Sequence, residues 1–267
     1  MDPASAYERH DPEDGLDQVL AEMQARLDGP LNGSTPRRTF LRTYQRTTQA
    51  VADAMRTGLF EDDAWVRRWD VAFAQLYLDA LDADLAGVPA AVSRPWRLAF
   101  DAPATLPALI HLLLGINAHV NYDLPQALLA VIPDTDFTDA ELLERRRRDH
   151  ERVDGVLASR VSAEDAELAT AMGRSLLDRM LVPLNRLSSK RFLREARRKV
   201  WHNTGELQAA RLAGADQYAE RLAELEVLSA AKIADLLAPG QVLIKLGLAG
   251  FGVRLPPPRA RSSYLDH

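Results

Sequence analysis

The sequence contains no cysteine, and this absence removes several classes of functional site at once. A chain without thiols cannot carry a disulfide framework, a thiolate zinc site, an iron–sulfur cluster or a cysteine nucleophile. If a metal ion is bound, its ligands must therefore come from histidine, aspartate, glutamate or asparagine.

The chain also lacks a long hydrophobic run and an excess of positive charge. No charge-free apolar stretch reaches the about 20 residues of a membrane span, and residues 1–10 have no apolar core of a signal peptide. Lys and Arg number 33 against 38 Asp and Glu, and the resulting net charge of −5 does not attract phosphate backbones. We therefore expect a cytoplasmic protein that neither spans a membrane nor binds nucleic acid.

The composition that remains is typical of a globular helical protein. Apolar residues make up 47% and charged residues 27% of the 267 positions. Apolar side chains recur at helical spacing, and no segment shows the alternation of an exposed strand. The predicted fold class is all-α: a single-domain multi-helix bundle over 16–238, with a flexible arm at 1–15 and a proline-rich tail at 239–267.

The apolar spacing also predicts where the individual helices lie. Helices are expected at 16–27, 38–59, 62–85, 109–120, from 125 onward, and at 139–160, 164–185, 190–213 and 216–237. The prolines between the third and fourth of these helices favour a loop there. The helix at 109–120 is apolar almost all round, which predicts a place at the centre of the bundle. Since Pro125 disfavours α geometry at the residue before it, we expect a bend or a stop near 121–123.

Histidine–acid pairs are the most suggestive pattern in the sequence. Four of the six histidines have an acidic residue four positions later, the spacing at which side chains on a helix touch. These pairs are His10–Asp14, His119–Asp123, His150–Asp154 and His202–Glu206. We interpret the first and the last of them as surface ion pairs.

The pair His119–Asp123 differs because it ends the apolar helix, beside Asn117 and Asn121. A buried polar group without a partner costs about 1–3 kcal/mol, so these groups must be hydrogen-bonded, ligated or facing a cavity. A helix places the His–Asp pair on one side and the two asparagines on another. All four converge only if the chain unwinds before Pro125.

Asp123 also has a purely structural interpretation. The sequence Asp-Leu-Pro-Gln at 123–126 matches a helix N-cap followed by proline in the first turn and glutamine at the third position. On this interpretation the carboxylate of Asp123 accepts hydrogen bonds from the backbone at the start of a new helix.

The pair His150–Asp154 follows a run of four arginines at 145–148. Such a run is typical of a solvated helix face, although one or two of its side chains could line a mouth that receives an anion. An ordinary surface pair is the structural alternative for the histidine and its acid. Candidate binding residues, in addition to Asn117, are Tyr77, Trp96, Arg148 and Asp149, where the two aromatic residues could equally be core side chains with polar tips.

Several blocks of the sequence resemble a known family. They are residues 69–81, Trp96 with Phe100, residues 115–125, which include Asn-Ala-His-x-x-x-Asp-Leu-Pro, and residues 148–154. These blocks are similar to the bacterial domain-of-unknown-function family 5995 over roughly residues 60–215. The resemblance implies a helical fold and implies no particular activity. The residues to which it points are His119, Asn121, Asp123, Asp149 and His150.

Two functional hypotheses follow. The first is an enzyme with His119, Asn121 and Asp123 as catalytic residues and a small-molecule substrate. In its metal-dependent form the enzyme is a hydrolase. His119, Asp123, His150 and Asp154 then hold a Zn, Mn or Fe ion that keeps an open position for water. In its metal-free form, such as a biosynthetic tailoring or cyclising enzyme, His119 is a general acid or base on a small apolar substrate. The second hypothesis is a non-catalytic binding or interaction protein whose polar cluster only ties two helices together.

Overall fold

A computed structural model describes residues 15–33, 36–153, 155–156, 190–238 and 252–258. Within these ranges every regular element is a helix, which confirms the predicted all-α bundle. The helix expected at 164–185 lies outside the described residues. So do the predicted arm, apart from Gly15, and most of the predicted tail.

The described helices follow the predicted apolar stripes closely. They are α1 (Gly15–Asp28), α2 (Pro36–Arg56), α3 (Asp63–Leu85), α4 (Arg94–Phe100), α5 (Ala108–Ala118), α6 (Leu124–Val131), α7 (Asp134–Thr138), α8 (140–153), α9 (Lys190–Ala213) and α10 (Ala215–Leu237). A 3₁₀ turn at Pro89–Ala91 precedes α4, and a π-helical turn at His119–Asp123 joins α5 to α6. None of these helices is both long enough and apolar enough to cross a membrane.

Helix α4 corrects the loop expected between α3 and α5. Pro95 lies in the first turn of α4, where proline is favoured because the N–H group it lacks would have no partner within the helix. The proline that favoured a loop therefore begins a helix, and this helix brings the buried Trp96 into the core.

The apolar helix α5 packs against α2, α4 and α10, and α6 packs against α3 and α9. Phe40 of α2 lies directly on Gly115 of α5. A Cβ atom at position 115 would come within 2.4 Å of Phe40 Cδ2, so only glycine fits there. This close approach holds α2 against the C-terminal half of α5, just before the π-helical turn.

The α geometry of α5 ends at Ala118, and a π-helical turn at His119–Asp123 lies where a bend or a stop was expected, without a break in the helical path. Asp123 and Leu124 keep helical dihedrals, with φ −78°, ψ −39° and φ −60°, ψ −42°. Proline lacks an N–H group and its ring crowds the carbonyl one turn earlier, and a wider π turn accommodates both effects. Helix α6 begins at Leu124 with Asp123 at its N-cap position, but the side chain of Asp123 makes no capping bond, so the predicted capping bond is absent.

Candidate active site

The π-helical turn places His119 and Asp123 in direct contact in the protein interior. The imidazole Nδ1 lies 2.8 Å from Asp123 Oδ2, and each residue is only 3% exposed. The same oxygen accepts a hydrogen bond of 2.7 Å from Trp96 Nε1. The carboxylate of Asp123 therefore holds both the indole of α4 and the imidazole in fixed positions.

Aromatic rings from α2 and α3 enclose the imidazole of His119. The ring of Phe73 stacks on it with a centroid separation of 3.5 Å and an interplanar angle of 5°. The ring of Tyr44 meets it edge-on at 4.6 Å. Tyr77 and Trp96, both predicted as binding residues, lie 5.9 and 5.8 Å away, and Phe40 lies at 6.3 Å. Both aromatic predictions thus fall on walls of the His119 site.

Several polar atoms around this imidazole lack a partner. Among the described residues, the buried atoms His119 Nε2, Asp70 Oδ2 and Tyr77 OH have no hydrogen-bond partner, whereas the hydroxyl of Tyr44 interacts with the side chain of Thr48. Buried polar groups in native proteins are usually satisfied, so such a concentration needs an explanation.

Burial determines the electrostatics of the cluster. It lowers the pKa of His119, an effect that the hydrogen bond to Asp123 partly offsets. It also raises the pKa of Asp123, against the opposing hydrogen bonds from His119 and Trp96. A lowered pKa makes the imidazole neutral at pH 7, and because a carboxylate only accepts hydrogen bonds we infer that its proton is on Nδ1, which leaves a lone pair on Nε2.

Two further ionisable groups belong to this region: the ring of Tyr44 lies 4.6 Å from the imidazole, and the charge of Asp70 acts on Tyr44. Burial raises the pKa of Asp70 to about 7. It raises the pKa of the Tyr44 phenol well above its usual range, and the nearby carboxylates of Asp70 and Asp123 raise it further. Near neutral pH the cluster thus combines one base, the imidazole, with two groups that can donate a proton.

Residues Tyr44, Thr48 and Asp70 were not predicted from the sequence. Tyr44 and Thr48 are four residues apart on one face of α2, and Asp70 shares a face of α3 with Phe73 and Tyr77. Asp70 did carry a signal, since it is a carboxylate within the apolar stretch 69–74 on a helix face that is buried. The two hydroxyls on α2 gave no comparable signal.

Comparison with known proteins gives a family and no activity. Residues 16–239 match a family of unknown function, DUF5995. The chain belongs to this family. No curated protein and no solved structure matches the chain. The resemblance found in the sequence is therefore confirmed, and any function has to be argued from the site itself.

The two asparagines near His119, Asn117 and Asn121, have other partners. Asn117 Nδ2 donates to Leu113 O at 2.8 Å, and Asn121 Nδ2 donates to Asn117 Oδ1 at 3.2 Å. Asn121 Oδ1 accepts a hydrogen bond of 3.3 Å from the amide of Val253. The chain does not unwind before Pro125, which was the condition for all four polar residues to converge. These contacts give no support to a catalytic role for Asn121 or a binding role for Asn117.

Arg148 and Asp149 connect α8 to the start of α3. The Asp149 carboxylate accepts from the backbone amides of Glu61 and Asp62 at 2.8 and 2.9 Å. Two guanidinium nitrogens of Arg148 lie 2.8 Å from the Glu61 carboxylate. Arg147 of the same run is also paired with acids. These contacts indicate a structural role for both predicted binding residues and neutralise the expected basic mouth.

His150 is completely buried in a different aromatic environment. Its ring lies 5.3 Å from Trp69 and 5.6 Å from Trp201, rings that are not among the neighbours of His119. Neither ring nitrogen makes a hydrogen bond within the described structure. Burial, followed by the positive charge of Arg197, lowers the pKa of His150 well below its usual value. The two histidines that the sequence predicts as ligands of one metal ion therefore have different aromatic neighbours.

The predicted metal ligands include Asp154, which lies outside the described residues. Within the part of the chain that is described, no three histidine or carboxylate side chains are arranged to hold a metal ion. His119, Asp123 and His150 therefore do not form a metal site by themselves. The Zn, Mn or Fe site remains a prediction that depends on Asp154.

The structure tests one of the two pairs that were interpreted as surface ion pairs. His10 and Asp14 lie outside the described residues. The expected pairing of His202 with Glu206 is wrong, because each has another partner. His202 Nε2 lies 3.2 Å from the carbonyl oxygen of Leu255, and the Glu206 carboxylate binds Arg221.

Proposed function

We propose that this protein is an acid–base enzyme that acts on a small, uncharged and largely apolar molecule, with His119 as the base. The observation that carries this proposal is the state of one imidazole. Nδ1 is held by Asp123 at 2.8 Å, while the buried Nε2 has no partner in the described structure. This is the arrangement in which a carboxylate orients a histidine and leaves its second nitrogen to react.

A cluster that only ties helices together would be expected to satisfy its own polar atoms. Here Nε2 of His119 and the hydroxyl of Tyr77, whose ring is 5.9 Å from the imidazole, both lack a partner in the described structure. Each such group costs about 1–3 kcal/mol when it is buried alone. A substrate with a carbonyl or hydroxyl group would remove that cost, which favours an active site over a structural tie.

The chemistry of the proposed site follows from its groups. Nε2 of His119 removes a proton from the carbon next to a substrate carbonyl, and Asp123 stabilises the imidazolium that forms. Tyr44 or Asp70 donates a proton to the carbonyl oxygen, giving an enol. The imidazolium then protonates a carbon of the enol while the enol O–H returns its proton to Tyr44 or Asp70, which completes an isomerisation or an exchange and restores both groups. General base catalysis of this kind contributes about 10²–10⁴-fold to a rate.

The walls of the site support an uncharged substrate. Phe40, Phe73 and Trp96 surround the imidazole with apolar surface, and among the described residues the charge that acts on the pKa of His119 is the carboxylate of Asp123. An anionic substrate would be left without a counter-charge there, at a large desolvation cost. Metal-dependent hydrolysis, the other form of the enzyme hypothesis, depends on the undescribed Asp154 and is the less supported alternative.

Proton exchange is the direct test of this proposal. A panel of small apolar ketones, esters and lactones is incubated in D₂O with the full chain, and loss of the α-proton signal is followed by NMR. We expect exchange of at least one compound to be accelerated, and His119→Gln to remove about 100-fold or more of that rate. The matched control is Asp79→Asn, an exposed carboxylate on α3, which should keep the full rate.

Two outcomes would overturn the proposal. One is that folded wild-type protein and His119→Gln give the same exchange rates for every compound of the panel. The other is that EDTA abolishes the activity and a divalent metal restores it, which would establish the metal-dependent form instead.

A further inference from the structure

A short extended segment near the C-terminus, residues 252–258, lies against α9 and α10. Its backbone carbonyl groups are bound by side chains of these helices. Lys199 Nζ donates to the carbonyl of Gly252 and His202 Nε2 to that of Leu255, both at 3.2 Å. Arg221 of α10 donates to the carbonyl of Pro256. We call residues 252–258 the strap.

The side chain of Asn203 makes two hydrogen bonds to the backbone of the strap, one on each side of Arg254. Asn203 Nδ2 donates to the carbonyl of Val253 at 3.0 Å, and Asn203 Oδ1 accepts from the amide of Leu255 at 2.9 Å. These two groups flank Arg254, as the backbone of a neighbouring parallel strand would engage them. The amide of Asn203 therefore replaces a β-strand partner and recognises an extended backbone.

The fit of the strap also depends on two of its side chains. A Cβ atom at Gly252 would lie 2.8 Å from Lys199 Cδ and 3.3 Å from Ala196 Cα, so the strap approaches α9 where it has no side chain. Leu255 is 1% exposed and packs with Leu129, Leu207 and Leu225, whereas Arg254 and the three prolines that follow are exposed. The surface accordingly selects glycine and leucine at two positions of an extended, proline-stiffened peptide.

We propose that α9, α10 and the π-helical turn form a recognition site for an extended Gly-x-x-Leu-Pro-Pro peptide, which the strap of this chain occupies in cis. A contact to the π-helical turn gives this occupancy a consequence for the rest of the protein. The amide of Val253 donates to Asn121 Oδ1 at 3.3 Å. Asn121 belongs to the same π-helical turn as His119 and lies two residues after it. Bound strap therefore stabilises the turn that carries the imidazole, whether or not His119 is catalytic.

Competition with a synthetic peptide tests the site. Leu255→Asp in the full chain should release the strap, and a fluorescent peptide of the sequence 252–258 should then bind this variant at least tenfold more tightly than wild type. The difference is expected because in wild type the tethered strap occupies the site at high effective concentration. Arg254→Ala, which changes an exposed strap residue, should behave as wild type, and a peptide with aspartate in place of leucine should not bind. Equal binding to wild type and to Leu255→Asp, or saturable binding to neither, would overturn the proposal.

Hydrogen exchange decides the question if Leu255→Asp does not fold. In the wild-type chain the amide of Leu255 should exchange slowly, and Asn203→Ala should accelerate it at least tenfold while the amides of α1 remain unchanged. The matched control is Gly205→Ala on α9, where an added Cβ meets nothing within 4 Å. An amide of Leu255 that exchanges at the rate of an unprotected amide in wild type would show that the strap is not bound.

Discussion

The imidazole of His119 and the carboxylate of Asp123 face each other across one π-helical turn, with Nδ1 2.8 Å from Oδ2. Asp123 Oδ2 accepts hydrogen bonds from both His119 Nδ1 and the indole N–H of Trp96. Nε2 of the same imidazole has no hydrogen-bond partner in the described structure. This asymmetry connects the local geometry of the helix to the proposed chemistry, and it can be tested from either side of the pair.

The bond from Trp96 to Asp123 should contribute measurably to stability. Trp96→Phe removes a buried donor to a carboxylate, and bonds to charged groups contribute about 1.5–3 kcal/mol. Trp69→Phe is the matched control, because Trp69 is also buried and its Nε1 has no partner in the described structure. Urea denaturation should show that Trp96→Phe costs more than Trp69→Phe by about 1–3 kcal/mol. Equal costs would mean that the hydrogen bond contributes nothing.

Asp70 should make the protein less stable as the pH rises. Its pKa is raised by burial from 3.8 to about 7, so between these values the folded state binds a proton that the unfolded state has lost. Stability is therefore highest below pH 4 for this group and falls as the pH rises through 7. Asp70→Asn removes this pH dependence. Between pH 5 and pH 8 the free energy of unfolding of the variant, relative to that of wild type, should therefore rise by up to about 3 kcal/mol.

The measurement for Asp70 is denaturant unfolding at these two pH values, with Asp79→Asn as the control. Asp79 is exposed on the same helix, and its substitution should leave the difference between the two pH values as it is in wild type. A pH dependence that is unchanged in Asp70→Asn would show that the carboxyl of Asp70 titrates in its ordinary range.

Gly115 should be intolerant of even a methyl group. In Gly115→Ala the new Cβ would lie 2.4 Å from Phe40 Cδ2, which forces the ring away from the wall of the His119 site. Overpacking of this kind costs about 1–3 kcal/mol. Gly205→Ala, in an open position of α9, should instead be neutral or stabilising. If Phe40→Leu does not reduce the cost of Gly115→Ala in a double-mutant cycle, the clash is not its cause.

His150 should make the protein sensitive to acid. Because its pKa is lowered well below 6.5, the unfolded state binds a proton first as the pH falls, and stability is lost below pH 6.5. His150→Phe keeps an aromatic ring beside Trp69 and Trp201 and removes this loss, which for one proton is up to about 2 kcal/mol between pH 6.5 and 5. Guanidinium denaturation at pH 7.5 and pH 5 tests it. An equal loss in wild type and variant would contradict the assignment.

Much of the fold was predictable because the helices carry strong apolar periodicity. The helix expected at 62–85 is found as Asp63–Leu85, and the one expected at 190–213 as Lys190–Ala213. Helix α4 was missed because proline has two meanings, loop former and first residue of a helix, and local sequence does not separate them. The predicted cap at Asp123 failed for a similar reason, since a proline two residues later is compatible both with a new helix and with a π turn.

The site was predictable only as far as single helices reveal it. The spacing of His119 and Asp123 placed them together, and the apolar surroundings indicated burial. The approach of α2 and α3 to the imidazole depends on tertiary packing, so Tyr44, Thr48 and Asp70 could not be placed in its region from their own helices. The same applies to His150, whose pairing with His119 was inferred from two separate helices, and the two rings have different aromatic neighbours.

The proposed acid–base role requires a neutral His119 with its proton on Nδ1, and nitrogen NMR of the histidine rings measures this protonation state. In full-length protein with ¹⁵N-labelled histidine at pH 7, His119 should be neutral, with the proton on Nδ1 and a pyridine-type Nε2. The signals of His119 are assigned as those that are absent from the spectrum of His119→Gln. His202 is the internal control, because its Nε2 faces the carbonyl of Leu255 and should carry the proton. A proton on Nε2 of His119, or an imidazolium at pH 7, would contradict the account.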